Sequence, residues 1–438
     1  MDLLWAEIEE LEPLLGCVTR LHPLIYHSGT RWDKPWAKGV EPLSAHETGR
    51  QFMHHSSRIR TLSIQSDHPH LLSVIPAGAC IFPRLRSLNV STTYLDLFFP
   101  YTVLHRWKTV NEGLQSFVIP CIALEHLFIY TPEKGDFTSD LSLLSNRIRW
   151  CTRRLVTVSC PMLDLETWKG LSYIPALLTL RIDQGCNDPP SLLIRDLSLS
   201  PFLNITALSF RQLYDAADII TVMQHSQFPS LKEFEFEANR LCSEEAEQLF
   251  RALSHCKACQ TLEKISICSL DDEFLEPPDD SLTPIPHFLC FTQLRDLELR
   301  FSNSCIYLDN AILFQAMSSW PHIHTLEIVG SGIPCSVSLH GLFTALFLCP
   351  HLHTLRVTIN NATIDIDPDS EPIQHTSLRR LALETSKFRL EDAKTLARII
   401  SAWLPCVDQV RGFSRNWDEV NMHLRSLRAA GALCIAEA

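Results

Sequence analysis

One phrase returns six times between residues 231 and 383. It reads Leu231-Lys-Glu-Phe234-Glu-Phe236, Leu262-Glu-Lys-Ile265-Ser-Ile267, Leu294-Arg-Asp-Leu297-Glu-Leu299, Ile323-His-Thr-Leu326-Glu-Ile328, Leu352-His-Thr-Leu355-Arg-Val357 and Leu378-Arg-Arg-Leu381-Ala-Leu383. Successive copies begin 31, 32, 29, 29 and 26 residues apart. The last two apolar positions of each copy lie two residues apart, so on a strand they point to one side. The first apolar residue anchors the turn that leads in. A unit this short cannot bury its own apolar edge, so the units must stack on one another.

Weaker copies extend the series in both directions. Upstream they are Ile59-Arg-Thr-Leu62-Ser-Ile64 and phrases opening at Leu85, Leu124, Leu155, Leu177 and Ile205; downstream there is Val407-Asp-Gln-Val410. Thirteen units result, with a mean period of 29 residues and a spread from 22 to 39. Phrase and period are those of a leucine-rich repeat. Several spacers carry helix signals. Ser243-Glu-Glu-Ala-Glu opens one as a cap over first-turn carboxylates; Asp309 and Ser338 precede others, and 390–403 and 417–427 also read as helical. The expected fold is therefore α/β: a leucine-rich-repeat solenoid, or horseshoe, with a parallel sheet inside and helices or irregular segments outside. Asp271–Pro286 and Ile364–Pro372 are acidic and proline-bearing, which predicts exposed loops. The consensus Asn three residues past the last Leu is kept at Asn239 and Asn360, with Thr93, Ser302, Ser331 and Ser386 in its place elsewhere.

Three regions follow. Residues 1–58 form an N-terminal helical cap, with helices over 1–26, an irregular loop over 27–43 and a helix over 44–56. Residues 59–413 are the repeats, and 414–438 are a C-terminal helical cap.

The 46% apolar content is that of a globular chain, and a net charge of −12 argues against a general nucleic-acid binder. No apolar run reaches membrane-spanning length, and the acidic start Met1-Asp-Leu-Leu-Trp is unlike a signal peptide. Sixteen cysteines without such a signal read as reduced thiols, which predicts an intracellular protein, cytoplasmic or nuclear.

Several phrases are preceded by an apolar–Pro pair: Phe82-Pro83, Phe228-Pro229, Trp320-Pro321 and Cys349-Pro350. This form resembles the irregular repeats of fungal F-box/leucine-rich-repeat proteins. The segment Leu4-Trp5-Ala-Glu-Ile-Glu-Glu-Leu11-Glu-Pro13-Leu14-Leu15 is similar to the stretch that follows the F-box in that family. The resemblance implies a substrate receptor of an SCF-type cullin–RING ubiquitin ligase, with the F-box on the Skp adaptor and the repeats on a target. The box itself is not found, and the chain begins where it would have just ended. Binding of the Skp adaptor is expected only if the full-length gene product carries an F-box; otherwise the chain is a ligase-independent binding scaffold.

The second, fourth and sixth residues after the first Leu of each phrase should face the concave surface, which is the candidate partner-binding site. Glu233, Glu235 and Glu237 make an acidic row continued by Asp296, Glu298 and Glu327, with Lys264 as its local counter-charge. Arg181 and Arg211 lie to one side; Arg300, Arg356, Arg380 and Arg411 populate the other. His126, Phe128 and Tyr130 form an aromatic patch nearer the N-terminus. Such a surface suits a protein target presenting a basic segment. The alternative is that these charges only keep an open sheet face soluble.

Metal sites and catalysis find little support. Cys256-Lys-Ala-Cys259 lacks a second pair, and its cysteines stand where buried thiols enter a repeat. His322-x-His324 and His351-x-His353 recur in register 29 residues apart, which brings four imidazoles near one another. Two copies of one turn explain the same pattern, so no metal and no cofactor is expected. No P-loop, GxSxG, HExxH or dinucleotide fingerprint is present, and the chain is not expected to be an enzyme.

Overall fold

A computed structural model describes residues 5–26, 40–64, 74, 82–91, 123–130, 154–161, 163, 165–183, 199, 201–213, 216–270, 281–302, 304–330, 336–359, 364–367, 374–384, 392–412 and 416–436. The chain forms two compact units, Met1–Ser200 and Pro201–Ala438.

Each of the thirteen phrases becomes a parallel strand. In the first unit β1 (Glu7–Ile8) pairs with β2 (Thr61–Ile64), followed in order by β3 (Ser87–Ser91), β4 (His126–Tyr130), β5 (Thr157–Cys160) and β6 (Thr179–Asp183). In the second unit β7 (Ala207–Leu213), β8 (Glu233–Ala238), β9 (Lys264–Ser269) and β10 (Asp296–Phe301) lead on to β11 (Thr325–Gly330), β12 (Thr354–Thr358), β13 (Arg380–Glu384) and β14 (Val410–Arg411). Strand β1 lies in the segment expected to be wholly helical. Among its described residues the α-helices are two short ones, α1 (Glu12–Leu15) and α2 (His22–Tyr26). The Ala6 carbonyl accepts from the Arg60 and Thr61 amides, so the first repeat strand gains a neighbour instead of an open edge.

The alternation of the phrase is visible in burial. Leu297, Leu299, Leu326, Leu355 and Val357 are fully buried, while the residues between them reach solvent. Each buried Leu contributes about 1.5–3 kcal/mol of transfer free energy. The apolar–Pro pairs are turns: Leu85, Leu231, Ile323 and Leu352 donate their amides to the carbonyls of Phe82, Phe228, Trp320 and Cys349 at 3.0–3.2 Å. Pro sits second in each turn, where its fixed φ suits the bend and its missing N–H costs nothing. The residue that opens each turn is itself core. Phe202 and Phe228 stack at 5.1 Å, Trp320 donates its indole N–H to the Phe288 carbonyl at 3.2 Å, and the Cys349 thiol donates to the Met317 carbonyl at 3.3 Å.

Beyond α1 and α2, the chain forms a π-helical turn at Glu47–Phe52 that runs into α3 (Met53–Ser56). Ser44 and Glu47 cap this segment reciprocally, and Arg20 hydrogen-bonds Glu47 at 2.9 Å. That bond, with the Ser44 amide, pulls the Glu47 carboxyl down to about 2. The other α-helices among the described residues are α4 (Leu165–Ser172), α5 (Ala217–His225), α6 (Ser243–His255), α7 (Pro284–Phe288), α8 (Asn310–Ser319), α9 (Leu339–Leu346), α10 (Ala393–Trp403) and α11 (Asn416–Ala436). Helix α6 covers the buried face of the sheet, with Phe250 edge-on to Phe301 at 6.0 Å.

Three details differ from the sequence reading. Cys242, not Ser243, is the N-cap of α6, because Glu245 reaches back to the Cys242 amide at 3.1 Å. The end of the expected loop 271–286 is structured: Leu282 pairs with Ile306, and Pro284 and Ile285 are buried in α7. Pro at the start of that helix occupies a position whose N–H has no helical partner anyway. In the expected loop 364–372, Ile366 is buried. Residues 271–280 and 368–372, most of the 27–43 loop, and Thr93, Ser331, Asn360 and Ser386 lie outside the described residues. Ser302 does accept the turn role, donating to the Ser269 carbonyl at 3.2 Å.

Candidate functional site

Parallel pairing without slips from β8 to β14 places the solvent-facing residues in straight rows. The middle row runs Glu235, Ser266, Glu298, Glu327, Arg356, Ala382, Arg411. A second row runs Glu233, Lys264, Asp296, Thr325, Thr354, Arg380. A third, shorter one runs Glu237, Cys268, Arg300, Val329. Neighbouring strands in such a sheet stand about 4.8 Å apart, so the rows form one continuous surface.

Charge divides this surface by strand. Over β8–β11 stand Glu233, Glu235, Glu237, Asp296, Glu298 and Glu327, with Lys264 and Arg300 among them. Over β12–β14 stand Arg356, Arg380 and Arg411, with Glu384. The acidic strands have more internal compensation than the sequence reading gave them. Arg211 reaches Glu235 at 2.8 Å, where Ser209 also donates at 2.8 Å. Arg300 bridges Glu327 at 2.7 Å and Glu298 at 3.6 Å. Arg211 gets there from a β-bulge: the pairing of β7 and β8 shifts between Phe210 and Leu213, with Gln212 at φ 52. Glu233, Glu237 and Asp296 make no ion pair with any described residue.

On the basic strands Arg356 is held by Glu384, Nε to Oε1 at 3.0 Å. Glu384 is 6% exposed, and its other oxygen has no partner among the described residues. The two-four-six rule that picked out the other face residues also points to Glu384, six after Leu378, although the sequence reading passed over it. Arg380 and Arg411 are exposed and unpaired among the described residues. Arg356, Arg380, Arg411 and Ala382 line an open depression of about 710 Å³, with Glu327, Glu384 and Asp408 also on its wall. Directly after β14 the chain requires glycine at 412, because a Cβ there would run into the Trp417 indole and lie 2.6 Å from the Leu383 carbonyl.

In the first unit His126, Phe128 and Tyr130 share the solvent-facing side of β4. The Tyr130 hydroxyl donates to the Ile64 carbonyl at 2.8 Å, and Phe128 stands in register between Asn89 and Ser159. Arg181 is taken up by its own strand, 3.0 Å from Asp183, which also accepts from Ser159 at 3.0 Å.

The histidine pairs approach as their register requires. The His324 ring lies 5.6 Å from His353 and 6.3 Å from His351 between centroids. Burial lowers the His324 pKa, with Asp296 opposing and His353 assisting. Among the described residues no group of three or more His, Cys, Asp or Glu is placed to hold a metal ion. Cys256-Lys-Ala-Cys259 closes α6: Cys256 is its C-cap and Lys257 follows at φ 67. Burial pushes the Cys256 thiol up to about 11. Among the described residues no helix is long and apolar enough to cross a membrane.

Strand order, register and burial together make this an α/β leucine-rich-repeat solenoid with a parallel sheet. No protein-family model and no curated protein matches the chain. Among solved structures it is similar to one described as "Crystal structure of Rad7 and Elc1 complex in yeast", at 16% identity and a TM-score of 0.35, covering 78% of this chain and 89% of that one.

Proposed function

We propose that this chain is a protein-recognition module without chemistry of its own, and that the open face of β8–β11 holds a basic segment of a target protein. The supporting observation is the set of carboxylates Glu233, Glu237 and Asp296, which stand on a rigid sheet with no internal ion pair. A lysine-bearing partner supplies the missing charges, and the cost of ordering the face has already been met in folding. The sequence resemblance adds the finer reading, a substrate receptor of an SCF-type ubiquitin ligase. In that role the module acts by proximity, holding the target near a ubiquitin-loaded enzyme.

The test uses the full chain and a fluorescein-labelled peptide of alternating Lys and Gly, read by anisotropy. Binding should weaken as salt rises, since exposed charges are screened over about 10 Å at 0.1 M. The double variant Glu237→Lys/Asp296→Lys should lose the peptide and keep the wild-type circular dichroism, because neither carboxylate makes an ion pair with a described residue. Full binding by that folded variant at low salt overturns the reading. Glu235→Lys is a poorer choice, as it strands Arg211. The ligase role is checked separately by co-purification with the Skp adaptor. Clean failure leaves a ligase-independent scaffold.

A further inference from the structure

The depression over β12–β14 is lined by five arginines, Arg300, Arg356, Arg379, Arg380 and Arg411, against the three carboxylates of Glu327, Glu384 and Asp408, and that excess disfavours a basic segment. Its lining is specific. Arg356 and Arg411 occupy the middle row on either side of Ala382, two strand steps or about 10 Å apart. The alanine methyl leaves the row low between them, and Arg380 closes the depression from the next row. Glu384 fixes Arg356 at 3.0 Å, whereas Arg380 and Arg411 have donors to spare. A guanidinium presents its donors in a planar fork that matches a carboxylate.

We propose that this depression binds an acidic segment of the same partner, so that the ligand of the face is a peptide with a basic block and an acidic block. The inference rests on the reading of β8–β11 given above and names the partner more closely. From Asp296 on β10 to Arg411 on β14 is four strand steps. That is roughly 19 Å, or about six residues of extended chain. Side chains two apart on such a chain are about 7 Å apart and on one side, so successive acidic residues all face the depression. A nucleic acid fits the arginines but not the surface as a whole, because its phosphates would run onto the carboxylates of β8–β11.

Three labelled peptides test this on the full chain: a Lys–Gly block, an Asp–Gly block, and the two joined by six Gly/Ser residues. The Asp–Gly peptide should bind, and Arg380→Glu/Arg411→Glu should weaken it by at least about tenfold, the loss expected when charged pairs across an interface are reversed. Ala382→Trp changes no charge and sets an indole between Arg356 and Arg411, and it should have a similar effect. The joined peptide should bind about a hundredfold more tightly than either block, since linkage raises the local concentration of the second. The proposal is overturned if the Asp–Gly peptide binds no better than a Gly/Ser control. It is also overturned if Ala382→Trp leaves Asp–Gly binding intact, or if a short single-stranded oligonucleotide binds the same residues more tightly. In each of those results, retained Lys–Gly binding leaves the earlier reading standing. Loss of Lys–Gly binding with Asp–Gly binding intact overturns the earlier reading and the two-block partner with it.

Discussion

Strands β8–β11 and strands β12–β14 share one interior and present different exteriors. Beneath both, the phrase places an apolar residue at the same two positions: Leu297 and Leu299 on β10, Leu355 and Val357 on β12, all without solvent exposure. Above them, register carries a row from Glu298 and Glu327 directly to Arg356. The charge changes sign in a single strand step while the backbone pairing continues unaltered. In this fold the frame and the face are separable. Buried positions are fixed by stacking, whereas face positions are free of it and so available for recognition.

The largest effects should therefore be the same in both regions. Leu297→Ala and Leu355→Ala each empty a fully buried position in a stacked layer, and each should cost about 2–5 kcal/mol. Urea unfolding followed by circular dichroism measures this as a drop in midpoint. A large penalty for one and almost none for the other would show that the two regions do not share an equivalent interior.

The next effect should separate the regions. Glu384 and Glu327 each hold one arginine, but the Glu384 side chain is 8% exposed and its partner 29%, against 14% and 45% for Glu327 and Arg300. Glu384→Gln leaves Arg356 without a charged partner in a drier setting and should cost about 1–3 kcal/mol. Glu327→Gln loosens a pair that water already screens and should cost under about 1 kcal/mol. The same unfolding assay ranks them, and equal costs would mean that burial does not distinguish the two ion pairs.

Helix caps should again treat the regions alike. Asp309 accepts from the Ile312 amide at 2.7 Å at the start of α8, and Ser338 accepts from Gly341 at 3.2 Å at the start of α9. Asp309→Ala and Ser338→Ala should each cost about 1 kcal/mol. Either loss should leave peptide binding on the face unchanged, because both caps lie in spacers.

How much of this could be read in the sequence follows the same division. The frame was legible because stacking forces apolar residues to recur: even Leu155-Val-Thr-Val158, with its weak phrase, forms β5. Which residues share a face was legible from period two alone. What those residues do to one another was not. The pairing of Glu235 with Arg211 depends on a bulge, and no local pattern in Phe210-Arg-Gln-Leu213 announces it. Strand β1 escaped notice because two residues are too few to show a period. Cys242 was overlooked as a cap because Ser243 beside it is the better side chain on general grounds, while the geometry of Glu245 decides the matter. The depression at Ala382 needed the register of three strands, which no single phrase contains.

The smallest effect expected tests whether that bulge belongs to the frame or to the face. Gln212 has φ 52, in the left-handed region where a side chain crowds its own backbone. For an L-residue that conformation costs about 1–2 kcal/mol, and glycine escapes the cost. Glycine loses more chain entropy on folding, by about 0.5–1 kcal/mol. The difference favours Gln212→Gly by about 0.5 kcal/mol, a small stabilisation visible as a raised urea midpoint. The guanidinium of Arg211 should stay on Glu235, since the bulge that aims it would be relaxed and not removed. Binding of the Lys–Gly peptide should then be unchanged while stability rises. A stabilised variant that binds this peptide more tightly would mean that Arg211 has left Glu235 and freed a carboxylate. The strained residue would then be part of the recognition face, holding one of its charges in check.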